Sequence, residues 1–384
     1  MPTRVLAVAL ALLLASLSVG ASAPGDSPTG GWDKAAAARY LDARMDVWWQ
    51  KAKPLESGET TTKCLSCHTA IPYALARPAL RKAMGVTAAT AHETTILDTV
   101  RTRLAHLDAQ QPFYDHTEDK KIESRGVEAV MSAFLLTSHD ADAGTTAPDA
   151  LTQKAVARLW QVQRADGAWD WLNFGLEPYE SSDAVFHGAT VAAMAAGSPT
   201  GAAASRGGDG PAGVTKLRGY LRANLASQRL FNRAWALLAS SRLTGLLTSA
   251  ERDAIARELE GKQRPDGGWS LADLGGWRWS KADGPYAAPG TTDAALIGAS
   301  DAYATGLVLY AMKQAGLGAR PTVRKGLTWL RANQQAERAN DAAWAPWRAH
   351  SLNFDREHGG DKGEPWRRMF MSDLATAFAV LALL

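Results

Sequence analysis

An internal repeat is the feature that most constrains how this chain can fold. The sequence QRADGAW at residues 163–169 recurs as QRPDGGW at residues 263–269, and a degraded third copy runs from Gln334 to Trp344. A leucine precedes each glutamine by four residues, so each copy ends an amphipathic helix with one buried face. Repeated units of this kind bury their apolar faces by packing on one another, so several of them must share one core.

A second helix follows each repeat and is different in kind. Each begins with a Ser-Asp pair, in which serine is a good N-cap and aspartate suits the positive end of the helix dipole. The helices themselves are apolar or small nearly all round, which predicts burial on every side. Their predicted ranges are 184–196, 302–312 and 374–384, after Asp183, Asp301 and Asp373.

The repeating unit is therefore an amphipathic outer helix, an aromatic loop and a buried inner helix. Closing several such units into a ring gives an all-α fold, the α/α toroid, with about 10 to 12 helices. Residues 197–213 are rich in Gly, Ala, Ser and Pro, which predicts a surface loop. Further outer helices are predicted at 95–106 and 214–225 and further inner helices at 124–136 and 231–240. Two more helices are predicted, one at 32–50 and one that begins with Pro78.

The repeated Gln-x-x-Asp-Gly-x-Trp pattern resembles the QW repeats of the terpenoid cyclase and protein prenyltransferase toroid superfamily. The squalene–hopene cyclases are the most similar branch by motif, and the resemblance covers roughly residue 126 to the end of the chain. It implies that the glutamines and Trp169 and Trp269 tie neighbouring helix ends together. It does not carry the chemistry, because the chain has no Asp-x-Asp-Asp acid motif and no cysteine left over for the zinc site of the prenyltransferases. We therefore do not expect conversion of an isoprenoid.

The only two cysteines form the motif Cys64-Leu65-Ser66-Cys67-His68. Two thiols at this spacing can form thioethers to the vinyl groups of haem, and the adjacent histidine then ligates the iron. A local disulfide, a redox-active cysteine pair and a zinc site are the alternatives. The motif predicts one covalent haem c held by Cys64, Cys67 and His68, with a distal ligand among Met84, His92 and Met131.

A ligand site is also expected where the aromatic loops meet at one mouth of the ring. An apolar ligand held among aromatic rings and a few polar groups is typical of such a mouth. The candidate residues are Glu123, Arg125, Asp183, Asp301, Trp169 and Trp269.

The first residues predict export. Arg4 precedes an apolar run at residues 5–17, and small residues follow it, as in a secretory signal. The expected division is a signal peptide at 1–23, a haem-bearing helical segment at 24–118 and the toroid at 119–384. The expected location is periplasmic or otherwise exported, without a membrane span after signal cleavage.

These features predict an exported c-type haem protein that transfers electrons to a redox partner protein or oxidises an apolar small molecule at the toroid mouth. Whether the chain is an enzyme stays open at this point. The alternatives are a non-catalytic binding scaffold and an isoprenoid-converting enzyme. The net charge of +3, without a basic stripe, argues against a nucleic-acid partner.

Overall fold

The computed structural model describes residues 31–277, 299–339, 342–349, 351–352 and 369–384. Residues Asp33–Leu384 form one compact unit. The predicted signal peptide lies outside the described residues. The division of the chain near residue 118 stays a prediction.

Outer and inner helices alternate along the chain. Each outer helix has one apolar face, and its inner partner is buried nearly all round, so the prediction of two layers is confirmed. In chain order, the outer helices are α1 Lys34–Lys51, α3 Ala91–Ala105, α5 Ala150–Gln161, α8 Gly210–Asn224, α10 Ser249–Glu260 and α12 Pro321–Ala332. The inner helix that follows each of them is α2 Ala70–Ala83, α4 Glu118–Asp142, α6 Ala184–Gly197, α9 Leu230–Ser240, α11 Ala302–Gln314 and α13 Phe370–Leu383, respectively. The short helix α7 Pro199–Ala204 lies between α6 and α8.

The six inner helices close a ring. Each packs against the next in the order α2, α4, α6, α9, α11 and α13, and α13 packs back on α2. The outer helices lie against them from outside, as α5 does on α4 and α12 on α11. The predicted fold class, an all-α α/α toroid, is confirmed.

The repeat motif ties the helices as the resemblance implied. The indole N–H groups of Trp169 and Trp269 donate to the carbonyl oxygens of Leu159 and Leu259, at 2.9 and 2.6 Å. Each glutamine amide donates to the next outer helix. The bonds run from Gln163 to Gly213 at 3.0 Å and from Gln263 to Thr322 at 2.8 Å.

The third repeat completes the ring. Gln334 donates to the carbonyl oxygen of Asp33 at 2.9 Å and accepts from its amide at 2.7 Å, so the last outer helix is tied to the first. Its tryptophan is Trp347, which donates to Leu330 O at 2.8 Å, and not Trp344 as predicted. A hairpin of β3 Glu337–Ala339 and β4 Ala342–Trp344 is inserted between glutamine and tryptophan, which disguised the motif.

Three predicted boundaries are wrong for identifiable reasons. Helix α4 begins earlier than predicted because Thr117 caps it by accepting from the amide of Lys120. Segment 197–213 is not a continuous loop, because Ser198 caps α7 and Pro199 occupies its first turn. Pro78 lies inside α2 and does not begin a helix.

A second antiparallel hairpin lies between α1 and α2, where strands β1 Pro54–Ser57 and β2 Thr60–Lys63 pair. Within the described ranges, no helix combines the length and the apolar character that crossing a bilayer would require.

Candidate functional site

The toroid has two chemically different ends because its inner helices run in the same direction. Asp183, Asp301 and Asp373 all lie at the starts of inner helices, as the repeat predicts. At that end lies a cleft of about 350 Å³, which we call the loop-end cleft. Its lining combines aromatic rings with a few polar groups, namely Trp48, Phe113, Tyr114, Phe174, Tyr179 and Phe370 with Cys64, Cys67, His68, Glu177, Glu180 and Ser351.

A tight turn places the cysteine motif in this cleft. Ser66 Oγ accepts from the backbone amides of His68 and Thr69 at 3.1 and 3.2 Å, which turns the chain from β2 into α2. The indole of Trp48 fixes the other side by donating to Cys64 O at 2.9 Å. The His68 ring stacks on Phe370, with centroids 5.1 Å apart and planes 12° apart.

The loop between α5 and α6 supplies the carboxylates. Backbone bonds between Leu176 and Glu180, at 2.8 and 2.9 Å, fold it into a small hairpin. The carboxylate of Glu177 is buried, pairs with Arg229 at 2.7 Å and accepts from Ser181 Oγ at 2.8 Å. Glu180 lies three residues further along the same hairpin, so both carboxylates are carried by one rigid loop.

Burial keeps the two thiols protonated. It raises the pKa of Cys67 to about 12, and the nearby Glu180 carboxylate adds to this effect. The pKa of Cys64 is also raised well above its usual value, by burial first and by the neighbouring Cys67 second. Because the thiolate is the reactive form, neither cysteine is activated as a nucleophile.

The predicted distal ligands lie elsewhere, and none of the three lines the loop-end cleft. Met84 is at the exposed end of α2. His92 Nε2 lies 3.2 Å from the carboxylate of Asp46. Met131 is buried and lines a narrow apolar pocket beneath Cys67.

None of the six predicted ligand-site residues lines the loop-end cleft, and their role in binding a ligand stays a prediction. Trp169 and Trp269 are fully buried in the repeat turns. Asp301 caps α11 by accepting from Ala304 N at 2.8 Å, and Asp183 pairs with Arg229 at 2.7 Å. Two charged residues of α4 lie outside the cleft lining: Glu123 bonds to Lys120 and to the amide of Asn173, and Arg125 is exposed beside another pocket.

Sequence reasoning missed the carboxylates that do line the cleft. The tripeptide Glu177-Pro178-Tyr179 lies in the aromatic loop between an outer and an inner helix. The sequence drew attention to the aromatic ring of that loop and not to its carboxylate. Trp48 and Phe370 were also missed, because they come from the first and last helical units and meet only when the ring closes. The available signal was that a loop joining an outer to an inner helix carried two carboxylates, Glu177 and Glu180, close together.

Comparison with known proteins gives fold relatives only. No protein-family profile matches the sequence, and no curated protein matches it. The solved structure of an unsaturated glucuronyl hydrolase from Bacillus sp. GL1, responsible for the degradation of glycosaminoglycan, is 12% identical, covers 91% of this chain and 94% of its own, and has a TM-score of 0.50. A UGL variant with dGlcA-Glc-Rha-Glc is 14% identical over 91% of this chain and 95% of its own, with a TM-score of 0.49. The likeness of the first structure supports the toroid architecture.

The prediction of a covalent haem c and of electron transfer to a redox partner protein is wrong. The glucuronyl hydrolase structure with a TM-score of 0.50 shares the toroid fold of this chain and is not a cytochrome. The surroundings of the motif also fit a haem poorly, because Phe370 lies flat against His68 and Tyr179 meets it edge-on. Within the described ranges, no group of three or more His, Cys, Asp or Glu side chains could hold a metal ion. The CxxCH spacing alone is therefore not enough to predict a haem site.

Proposed function

We propose that the loop-end cleft binds and hydrolyses a neutral oligosaccharide. The observation that carries this proposal is the convergence of aromatic rings and two loop carboxylates on one cleft. Aromatic faces offer an apolar, rigid platform to the C–H faces of sugar rings. A pair of carboxylates is the usual equipment for glycosidic bond cleavage, with one as acid and the other as base or nucleophile. The toroid fold shared with a glycan hydrolase is consistent with this function.

The two carboxylates have different surroundings and suit different roles. Glu177 is buried and held in an ion pair with Arg229, so its position is fixed and it can orient a water molecule. Glu180 is partly exposed and lines the cleft beside Cys67, so it can approach the leaving-group oxygen of a bound sugar. Glu180 is therefore the proposed acid and Glu177 the proposed base.

The charge of the lining selects among sugars. The described lining holds two carboxylates, one histidine and two tyrosine hydroxyls, and no Lys or Arg. Because that lining offers no cation to pair with the carboxylate of a uronate, the proposed substrate is neutral. Export, which the first 23 residues predict, would bring the cleft to extracellular glycans. A deeper kinship with the squalene–hopene cyclases stays a proposal that rests on the repeat motif.

The test is a panel of neutral oligosaccharides and matched uronate-containing ones, incubated with the full chain. Products are followed by mass spectrometry and binding by calorimetry. We expect neutral substrates to be cleaved, and E180Q to lose at least about 100-fold in kcat while Kd changes by no more than about twofold. E59Q, in the exposed β1–β2 turn, is the matched control and should behave as the wild type. Cleavage by E180Q at the wild-type rate, or no neutral sugar bound at all, would overturn the proposal.

A further inference from the structure

A second cavity opens at the opposite end of the toroid, where the inner helices end. We call it the far cavity; it measures about 270 Å³ and shares no lining residue with the loop-end cleft. Its walls come from several inner helices and from α3. The apolar side chains that matter here are Leu75, Ile96, Phe134, Met194, Leu238 and Phe378. A concave site with such a lining binds hydrocarbon.

A narrow pocket of about 30 Å³ continues from the far cavity along the axis. Phe134, Trp235 and Phe378 line both. Trp235 is almost fully buried, and its indole N–H has no hydrogen-bond partner within the described part of the chain. Buried donors are nearly always satisfied, so water is the partner expected for this one. The space itself is elongated and apolar.

The charges at the mouth of the far cavity are unequal. Glu93 is paired with Arg81 at 3.0 Å and Asp142 with Lys82 at 2.6 Å, so both carboxylates are neutralised. Arg242 and Tyr310 also line the cavity. Across the described ranges, no carboxylate lies within 4 Å of Arg242. One cation at the mouth of an apolar cavity is thus left for an external anion.

We propose that the far cavity binds a fatty acid, with its carboxylate on Arg242 and its alkyl chain along the axis toward Trp235. Arginine suits this role because its fork of N–H groups matches a carboxylate. The apolar walls bury the alkyl chain, and this burial drives its binding. Binding in the far cavity does not depend on the function proposed for the loop-end cleft, although the narrow pocket reaches Cys67 and Tyr179, which line that cleft.

The test compares two ligands of equal chain length, dodecanoate and dodecanol, below their micellar concentrations. Binding to the delipidated full chain is followed by calorimetry and by the intrinsic tryptophan fluorescence of the chain. We expect one dodecanoate per chain. R242Q should weaken dodecanoate about 10-fold, R242K should restore part of the affinity, and dodecanol should bind both variants as it binds the wild type.

Two further variants distinguish the site from non-specific lipid binding. A79F fills the far cavity and should weaken both ligands, whereas R257Q, on the exposed face of α10, should change neither. Near-ultraviolet circular dichroism checks that each variant is folded. Loss of dodecanoate affinity in R257Q as large as in R242Q, or unchanged affinity in folded A79F, would refute the proposal.

Discussion

His187 is the residue whose environment most departs from its ordinary chemistry. It lies in the first turn of α6 and is surrounded by aromatic side chains. The centroid of its imidazole lies 4.5 Å from that of Trp235, 4.9 Å from that of Tyr179 and 5.9 Å from that of Trp171. Its Nδ1 has no partner within the described residues. Burial among these rings lowers the pKa of His187 to about 3. The imidazole is therefore neutral in the folded protein.

This burial predicts acid sensitivity of the fold. The folded pKa of His187 lies below the unfolded value, so between the two values the unfolded chain binds more protons. The stability that His187 contributes is complete above about pH 6.5 and is lost as the pH falls toward 3. From pH 7 to pH 5 we expect a loss of about 2 kcal/mol, measured by urea unfolding at each pH.

The matched variant is H187F, which keeps an aromatic ring and removes the titrating group. Its stability should change less between pH 7 and pH 5 than that of the wild type, by about the same 2 kcal/mol. An equal pH dependence in the two proteins would show that His187 is not the group responsible.

At the scale of elements, the turn of the first repeat leaves no room for a side chain. Gly167 adopts a φ of +97°, and a Cβ placed there would lie 2.3 Å from the carbonyl oxygen of Lys216 in α8. The turn is also held by Asp166, which accepts from Ala168 N at 3.1 Å. The close approach lets the turn that ends one outer helix rest on the next outer helix.

Substitution of this glycine tests the inter-repeat contact. Gly316 is the matched position, because its φ is +80° and nothing lies within 4 Å of an added Cβ. G316A should cost about 1 kcal/mol for the left-handed backbone alone. G167A should cost about 2 kcal/mol more, because the helices must also move apart. Thermal or urea unfolding measures both, and equal losses would contradict the packing described for Gly167.

The elements were largely predictable from the sequence, and the site was not. Helices such as α5 and α11 are specified locally, by the spacing of leucines or by an all-round apolar composition. The third repeat was recognisable, but its tryptophan was not. The hairpin inserted before Trp347 changes the spacing from Gln334, and that spacing is the signal by which the tryptophan would be identified. The loop-end cleft draws Trp48 from one end of the chain and Phe370 from the other, and no local pattern relates two such positions.

At the scale of the whole molecule, Asp373 joins the beginning of the ring to its end. Its carboxylate is buried and accepts from Arg44 at 2.7 Å, from the hydroxyl of Tyr40 at 2.8 Å and from Thr69 Oγ1 at 2.8 Å. These partners belong to α1 and to the N-cap of α2, whereas Asp373 belongs to α13. One carboxylate therefore holds three helices at the closure.

Removing this carboxylate should destabilise the entire toroid. D373A leaves Arg44 buried without its partner, and loss of one member of a buried ion pair costs about 3 to 5 kcal/mol. D273A breaks the more exposed pair with Arg264, at 2.8 Å, and should cost about 1 kcal/mol or less. Urea unfolding followed by hydrogen exchange should show protection falling in α4 and α6 as well as in α1 for D373A. Loss confined to α1 and α13 would contradict closure as a global element.

The tie between Gln334 and Asp33 repeats the chemistry of the ties made by Gln163 and Gln263. The contact that closes the ring is thus made in the same way as the contacts between successive units inside it. This packing does not depend on the order in which the helices follow one another along the chain. A circularly permuted chain, opened in an exposed turn such as the one at Gly245 and joined near Asp33 through a linker, would present every neighbouring pair of helices with the same partner. We therefore expect the permuted chain to fold into the same toroid.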